Sequence, residues 1–448
     1  MRPAPVSLRD YGRLLRQNRN YRLLWAAQMV SEIGDWLYAV AIYSLLLELT
    51  GKASSVATAV VLQVLPQVFI APVAGVVNDR FSRRRVMIFA DLARAAIVVT
   101  MLLAQSRQSI WLIYLLLFGE TLMWGLFEPG RTATIPNLTR GEHETAVANA
   151  LGSTTWSLNF ALGFFAGGLV AAAFGPATVF LLNAGSFLAS AALLARMRFA
   201  EPHVGEAGSR AGDGAGFASM LEGIRYIAHD RRRLAIMLCK AGLGLLGANW
   251  VILPILGERV FPVRVGGIDP ARAGMLGMSV LLGSRGLGAL MGPLVAGQWA
   301  GSHRPHLRKG ILVGFGAIGI GYVLLSAAPN VWLACAALVI SHAGGSVVWV
   351  FSTTLLHYQT EDRFRGRVFS ADFSFLTMTM AAASSVAGAA IDRGVPVRQV
   401  AMFTGLVAWL PAVLWGLFGL PLWKGESPAP DETPPPAWEE PAAPPSAR

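Results

Sequence analysis

Charged residues and cysteine are scarce in this sequence. Only 14% of its 448 residues are Asp, Glu, Lys or Arg, whereas 54% are hydrophobic. A soluble globular chain carries about 25% charged residues. The two cysteines, Cys239 and Cys335, stand in apolar stretches and form neither a disulfide framework nor a metal-binding spacing. The composition therefore excludes an ordinary soluble domain and indicates that lipid is the solvent of this chain.

Nucleotide-binding and catalytic motifs are also missing. Residues 242–247 and 314–319 match the glycine spacing of a dinucleotide-binding loop, but each stretch lies inside an apolar run rather than between a strand and a helix. We interpret these glycines as helix-packing residues. The sequence has no phosphate-binding loop ending in Gly-Lys-Ser/Thr and no evident nucleophile paired with a base. It predicts neither an enzyme, nor a bound cofactor, nor a metal site.

Long apolar runs dominate what is present. Twelve of them approach or exceed the roughly 20 residues that a membrane-spanning helix needs. The runs are continuous rather than alternating, which favours helices over the strands of a barrel. The predicted spans are 21–49, 54–78, 85–105, 109–128, 143–172, 176–196, 232–257, 271–297, 308–328, 330–352, 366–391 and 397–423. The expected fold class is an all-α membrane protein of about twelve transmembrane helices.

Lys and Arg are unevenly distributed between the loops that join these spans. If successive loops alternate sides, 27 of the 37 basic residues fall on the side of the N-terminus and seven on the opposite side. Because membrane proteins concentrate Lys and Arg in cytoplasmic loops, both termini are expected in the cytoplasm, with the protein in a bacterial inner membrane. The net charge of +11 is spread over short clusters, so no nucleic acid partner is predicted.

A central loop divides the predicted spans into six and six. The predicted parts are a cytoplasmic N-terminal segment (1–20), a first six-helix bundle (21–196), a cytoplasmic linker (197–231), a second six-helix bundle (232–423) and a disordered Pro-rich tail (424–448). In the linker, Phe217, Leu221 and Ile224 share one helical face, which predicts an amphipathic helix on the membrane surface. We expect a monomer in the lipid bilayer.

The loop after the second span carries the most informative motif, Gly75-x-x-x-Asp79-Arg80-x-x-Arg83-Arg84. A weaker copy, which lacks the aspartate, begins near residue 297 in the equivalent loop of the second half. Arginines alone would serve only to orient the chain. The glycine and the aspartate at this spacing predict a tight turn whose carboxylate meets a cation or a helix N-terminus. Contacts that form in one conformation and break in another would make this loop a gate.

This motif resembles the loop signature of the major facilitator superfamily, with Ser82 where that family usually has a second glycine. Residues 127–138 (FEPGRTATIPNL) and 365–369 (RGRVF), with Gly34-Asp35-Trp36, resemble the bacterial macrolide-efflux and enterobactin-exporter group. The resemblance covers about 20–423 and implies two six-helix bundles rocking about a central site. One departure is Phe164, which replaces a proline that exporters often carry in helix 5.

The resemblance also implies that helices 1, 4, 7 and 10 line the cavity. Ionisable residues inside spans are costly and are therefore functional candidates. The predicted proton-coupling residues are Asp35, Glu120, Glu32 and His342. The predicted substrate contacts are Trp36, Trp124 and Lys240. The structural alternatives are that each carboxylate pairs permanently with a cation, that His342 is a neutral core histidine and that Lys240 extends toward the membrane surface.

Several pairings follow from these positions. Glu128 is expected to pair with Arg83 or Arg84. Asp79 is expected to face Arg365 and Arg367 at the start of helix 11, which would lock an outward-facing state. Two further pairs are predicted to be structural. They are Asp91 with Arg94, three residues apart in a peripheral helix 3, and Arg285 with Asp372 in the second half.

The sequence favours a secondary active transporter that exports small amphipathic molecules, drug-like or siderophore-like, with a proton gradient as the driving force. Few charges lie on the cavity helices, which favours apolar or weakly cationic substrates. Two alternatives remain open. One is a proton-coupled or facilitative importer of a small metabolite, and the other is a membrane sensor that transports nothing.

Overall fold

A computed structural model of the protein describes residues 7–104, 106–201, 217–300, 304–361 and 364–423. The helices of the first half are α1 (Leu8–Gln17), α2 (Arg19–Thr50), α3 (Ala53–Arg80), α4 (Arg83–Met101), α5 (Ile110–Leu138), α6 (Gly141–Phe174) and α7 (Pro176–Ala195). Those of the linker and second half are α8 (Phe217–Ala228), α9 (Arg231–Gly244), α10 (Asn249–Arg259), α11 (Ala273–Ala300), α12 (Arg304–Ala327), α13 (Val331–Gln359), α14 (Arg365–Asp392) and α15 (Val397–Leu414).

Eleven helical segments within these ranges are long and apolar enough to cross a membrane. They include α9 and α10 as one segment. Helix α4 does not qualify by composition, because five of its 19 residues are charged. It nevertheless packs against α5 and α7 inside the first half, where it takes the place of the third spanning helix. The predicted all-α membrane fold of two six-helix bundles is therefore confirmed.

Several helices extend beyond the predicted spans. Helix α5 continues to Leu138 through Pro129 and Pro136, although its span was expected to end at 128. Its 29 residues measure about 43 Å, more than the hydrocarbon core of about 30 Å. Helix α3 continues to Arg80, so the predicted tight turn at Gly75 is helical and the chain turns only at 81–82. Apolar length indicated where the spans lie, but it did not indicate where the helices end.

The two halves repeat one packing arrangement. In the first half, α3 packs on α5, while α4 packs on both α5 and α7. In the second half, α11 packs on α13, while α12 packs on both α13 and α15. Corresponding helices thus have corresponding neighbours, as expected of a duplicated transporter fold.

The first spanning helix of the second half is interrupted. A 3-10 turn, Leu245–Ala248, joins α9 to α10. Gly244 and Gly247 press this turn against α14, where an added Cβ would overlap the backbone of Leu376 or Met380. Both glycines belong to one of the discarded dinucleotide-like stretches, and they serve helix packing as predicted.

The polar contacts between the two halves lie at one end of the helices. We call the end at which α2 begins the linker end and the end at which α2 finishes the far end. Among the described residues, the hydrogen bonds that join the halves lie at the far end. The Asp392 carboxylate accepts from the backbone N–H groups of Ala53 (2.7 Å) and Ser54 (3.1 Å). Arg259 and Arg272 donate to backbone carbonyls of Gly51 and Ala172.

Small residues make this contact close. Gly168 on α6 lies so near Ser279 on α11 that an added Cβ would overlap its side chain. Gly388 on α14 approaches Ala57 on α3 in the same way, with 2.8 Å from the added Cβ to that side chain. Both contacts lie toward the far end, so the halves are closed together there.

The predicted amphipathic helix exists as α8, but it packs on protein rather than only on the membrane surface. Gly223 lies against the backbone of Arg367 at the start of α14, and the absence of a side chain permits this approach. Ile227 is fully buried, and the ring of Tyr226 stacks on Phe364 with 4.2 Å between centroids. Residues 202–216 of the predicted linker and the predicted tail (424–448) lie outside the described residues.

Candidate functional site

A buried cluster of charges lies in the first half around Arg94 of α4. The Arg94 guanidinium contacts three carboxylates. Its Nη2 lies 2.6 Å from Asp35 Oδ2 and 2.9 Å from Glu120 Oε1, and its Nη1 lies 3.6 Å from Asp91 Oδ1. The Arg94 side chain is only 1% exposed, and its Cζ lies 4.0 Å from the ring centroid of Phe187. We call Asp35, Asp91, Arg94 and Glu120 the Arg94 cluster, and its formal charge is −2 when all four side chains are ionised.

Three consecutive residues of α2 connect this cluster to its surroundings. Gly34 lies against α7, where an added Cβ would overlap Asn183 and Ser186. Asp35 turns toward Arg94, and Trp36 turns toward α6 and α10. Successive residues of a helix point about 100° apart, which sends the three side chains in three directions. The segment that resembled the exporter group therefore touches a neighbouring helix, the charge cluster and the junction of the halves.

The predicted Asp91–Arg94 pair is present, and α4 packs within the first half, but the pair is not isolated because Arg94 also binds Asp35 and Glu120. Glu32, one turn before Asp35 on α2, accepts hydrogen bonds from Gln28 (2.8 Å) and from Asn159 on α6 (3.1 Å), away from the Arg94 cluster. Residues three apart still point about 60° apart, and that difference directs Glu32 to α6. Its predicted role in proton coupling stays a prediction.

A second polar network lies toward the linker end. Gln28 bridges Glu32 and Arg131, since its Oε1 accepts from Arg131 Nη1 at 3.0 Å. Arg131 also makes a two-point ion pair with Glu128, with 2.9 Å between Nε and Oε2. Glu128 was expected to pair with Arg83 or Arg84, and this is wrong for the present conformation. Because α5 continues past Glu128, Arg131 stands one turn away on the same helix and is the nearer cation.

The second half contains a buried ion pair between Lys240 and Asp372. Lys240 Nζ on α9 lies 2.6 Å from Asp372 Oδ2 on α14 and donates to the Thr353 hydroxyl at 2.9 Å. Lys240 was expected to reach the surface or the substrate and Asp372 to pair with Arg285. Lys240 is 4% exposed and takes the Asp372 carboxylate itself, so the extension to the surface and the Arg285–Asp372 pair were wrong. The contact of Lys240 with a substrate stays a prediction. The pair joins α9 to α14 and is electrically neutral.

Aromatic rings gather at the junction of the halves. We call Trp36, Trp156, Phe160, Phe164 and Trp250 the aromatic cluster. Trp36 stacks on Trp250 with 6.3 Å between centroids and meets Phe160 edge-on at 4.6 Å. Phe164, which stands in the place of the expected proline, is fully buried and lies 5.4 Å from Trp36. The departure from the exporter pattern thus supplies one ring of this cluster.

Arg285 of α11 adds a cation to the aromatic cluster. Its Cζ lies 3.9 Å from the ring centroid of Trp250 and 4.7 Å from that of Phe160. Such distances allow a cation–π interaction. Its Nε and Nη1 are enclosed without a hydrogen-bond acceptor among the described residues. The sequence analysis missed this position. An arginine in the middle of a predicted span indicates a functional site, but the predicted pair with Asp372 gave Arg285 a structural role instead.

The remaining predicted contacts lie elsewhere. Trp124 is half-buried on α5 and is outside the aromatic cluster. His342 is buried on α13, where its Nε2 lies 3.4 Å from the Tyr322 hydroxyl. Its predicted relay role stays a prediction.

The loop motif has the following geometry. Gly75 is half-buried within α3, and Arg80 is exposed at its end. Asp79 is 76% exposed and lies 3.5 Å from Arg83, whose Nη1 donates to the Ala133 carbonyl of α5 at 2.8 Å. Arg84 donates to the Met197 carbonyl. In this conformation the motif holds together parts of the first half at the linker end.

The start of α14 makes different contacts from those expected. Arg367 Nη1 lies 2.6 Å from Glu222 of α8, and Asp79 pairs with Arg83 rather than with Arg365 or Arg367. The predicted Asp79 latch belongs to a state that is closed at the linker end. Because the halves here meet at the far end, that latch stays a prediction.

Solved structures with the same architecture are transporters. The nucleoside transporter NupG superposes with a TM-score of 0.69 at 9% identity, covering 88% of this chain and 98% of that one. A POT family transporter in complex with a thioalcohol-conjugated peptide also gives 0.69, at 11% identity, covering 91% and 97%. At such identities the likeness shows the fold alone. The arrangement of the helices is therefore that of the major facilitator fold.

The sequence itself identifies the family within the major facilitator superfamily. The sequence profile described as transmembrane secretion effector matches residues 15–445, and the chain belongs to this family. As for the other families of this superfamily, its members are embedded in the membrane and act on small molecules.

Curated relatives match parts of the chain. The uncharacterized MFS-type transporter YfiS of Bacillus subtilis is 28% identical over 185 residues, which is 40% of this chain and 43% of YfiS. Macrolide efflux protein A of Streptococcus pyogenes is 33% identical over 127 residues, or 28% of this chain and 31% of the relative. The chain therefore aligns with less than half of the length of these two relatives.

Proposed function

We propose that the protein exports small amphipathic molecules in exchange for protons, by alternating access between its two halves. The observation that carries this proposal is the Arg94 cluster, in which three carboxylates share one arginine. Uncompensated negative charge inside a membrane protein is costly. A proton on one carboxylate removes part of the excess, so proton binding and release at this cluster change the interactions of Arg94.

Helix α2 connects the Arg94 cluster directly to the aromatic cluster. Asp35 and Trp36 are neighbours on α2, the first bound to Arg94 and the second in the aromatic cluster. Protonation of Asp35 would weaken its contact with Arg94 and free α2 to shift. Any such shift moves Trp36 against Trp250 of the other half. Proton binding and the arrangement of the junction are thereby coupled.

The closed far end supports alternating access. The halves are joined there by Asp392, Arg259 and Arg272, whereas at the linker end Asp79 and Arg367 pair within their own side. We infer that the linker end faces the cytoplasm of a bacterial inner membrane, because it carries most of the arginines. This conformation would then be open toward the cytoplasm, ready to take up cargo for export. We further infer that one chain suffices and that the proton gradient, rather than a bound cofactor, drives transport.

Transport in everted membrane vesicles tests this proposal. The cytoplasmic face of such vesicles points outward, so an exporter loads them when their lumen is acidic. The probes are radiolabelled erythromycin, chosen because one relative is a macrolide efflux protein, and naphthalenesulfonate, an aromatic anion. We expect uptake of at least one probe that collapses when the pH gradient is dissipated.

Two variants sharpen the test. Asp35→Asn should remove the dependence of uptake on the pH gradient, whereas Asp269→Asn, the same change at an exposed position in the far-end loop, should keep it. Uptake that is equal in both variants would refute the coupling role of Asp35. Uptake only by right-side-out vesicles would identify an importer, and binding without flux would favour a sensor.

A further inference from the structure

Arg285 is a buried cation at the centre of the junction between the halves. It lies mid-way along α11, between Trp250 of its own half and Phe160 of the other. The groups close enough to interact with its charge also include Tyr43, Tyr322 and His342. All of these neighbours are rings.

No carboxylate balances this charge among the described residues. Arg285 takes part in no ion pair there, and Asp372, which the sequence had paired with it, is bound to Lys240 at 2.6 Å. A guanidinium group has five N–H donors and stays protonated in proteins. Cation–π contacts offset only part of the cost of burying it, and Nε and Nη1 have no acceptor.

The position suits contact with a transported molecule. Arg285 keeps some accessible surface, although its Nε and Nη1 are enclosed. Phe160 contacts it from the first half and Trp250 from the second, and Trp36 packs against both of these rings. A molecule held here touches both halves, which alternating access requires of its cargo. Arg285 is therefore placed to meet a charged group, while the rings pack against an apolar body.

We propose that Arg285 and the aromatic cluster form the recognition site for the transported molecule, and that this molecule is an amphipathic anion with an aromatic or apolar body. The assignment rests on the proposed function in that it takes the bound molecule to be cargo. It replaces the apolar or weakly cationic substrate that the sequence favoured, because the cation at the junction repels cations and leaves its donors to an anion.

The purely structural alternative is that Arg285 only packs the halves together. Equilibrium binding separates the two, since it needs neither a direction nor a gradient. The probes share one naphthalene body and differ in head group: naphthalenesulfonate is an anion, naphthalenesulfonamide is its neutral counterpart of nearly equal shape, and naphthylmethylamine is a cation. Binding is measured by equilibrium dialysis against the full chain in nanodiscs, with empty nanodiscs subtracted.

For the unmodified protein we expect the sulfonate to bind about tenfold or more tightly than the sulfonamide, as a charge-assisted hydrogen bond implies. The amine should bind most weakly. Arg285→Gln should remove the preference by weakening the sulfonate alone, and Arg285→Lys should keep part of it. Arg264→Gln is the matched control, because it removes the same charge from an exposed position in the far-end loop.

The rings are tested separately. Trp250→Leu should weaken the sulfonate and the sulfonamide by the same factor, about twofold to tenfold for one lost aromatic contact. The affinity contributed by the head group would thus depend on Arg285, and that contributed by the naphthalene body on Trp250. A packing role for Arg285 does not predict this separation.

Equal binding of the sulfonate and the sulfonamide to the unmodified protein would overturn the proposal, as would binding of neither. These outcomes need no variant to fold. They also leave the export proposal standing, because vesicle transport is scored with either probe. Conversely, strong sulfonate binding without proton-driven uptake would overturn the export proposal, whereas the proposed anion-binding site would stand.

Discussion

The two halves of the molecule bury charge in different proportions, although their helices pack alike. In the first half, Asp35, Asp91 and Glu120 share Arg94. In the second half, Lys240 and Asp372 balance each other and Arg285 stands apart. The duplication thus extends to helix packing and not to buried charge. One interior has surplus carboxylates and the other has a surplus cation, and on this difference we propose proton exchange in the first half and anion recognition at the cation of the second.

The largest effect should come from Arg94→Gln. The substitution leaves three carboxylates near one another with no cation, so we expect the free energy of unfolding to fall by about 3–5 kcal/mol, as when one partner of a buried ion pair is removed. Reversible unfolding in mixed micelles measures this change. Arg264→Gln, at an exposed position, is the control. A loss equal to that of the control would mean that Arg94 does not hold the cluster together.

The second prediction compares two variants that carry the same Asp→Asn substitution, one in each half. Asp372→Asn leaves the buried Lys240 without its counter-charge and should cost about 3 kcal/mol in the same assay. Asp91→Asn should cost less than about 1 kcal/mol, because Arg94 keeps two other carboxylates and Asp91 lies 3.6 Å away without a hydrogen bond to it. Equal losses of unfolding free energy in the two variants would mean that the halves do not differ in the balance of their buried charges.

A smaller effect is expected when the balanced pair is replaced as a whole. Lys240→Met with Asp372→Leu should change the free energy of unfolding by no more than about 1 kcal/mol, because a buried ion pair gains little over apolar packing. Proton-driven uptake should persist in the double variant. If uptake lost its dependence on the pH gradient, coupling would involve the second half and the division of roles would fail.

The smallest effect should come from Asp79→Asn. Asp79 is 76% exposed, and its ion pair with Arg83 is 3.5 Å long, so the expected loss of stability is below about 1 kcal/mol. Unfolding measured beside Asp91→Asn gives the comparison. A loss of several kcal/mol would show that this aspartate has a partner in the dominant state other than Arg83.

The sequence predicted the spans and some members of the site. Apolar runs indicated twelve helices, and Asp35 and Glu120 were identified because ionisable residues are rare inside spans. Their common partner could not be predicted, since Arg94 is 59 residues from Asp35 and 26 from Glu120. Helix ends were also misjudged, because α5 stays helical through Pro129 and Pro136. Glu128 was paired wrongly as a result.

What the sequence determined by itself is therefore the membrane environment, the all-helical class, the duplication and the intramembrane charges. These properties depend on composition and on neighbours along the chain. Only the tertiary structure decided which charges share a partner, that Lys240 rather than Arg285 takes Asp372, and that the rings of Trp250 and Phe160 flank the remaining cation. The physical reason is that buried charges pair across helices. A change of a few tens of degrees in the rotation of a helix about its axis would give a buried charge a different partner. That rotation is fixed by close helix contacts such as those of Gly34 and Gly168.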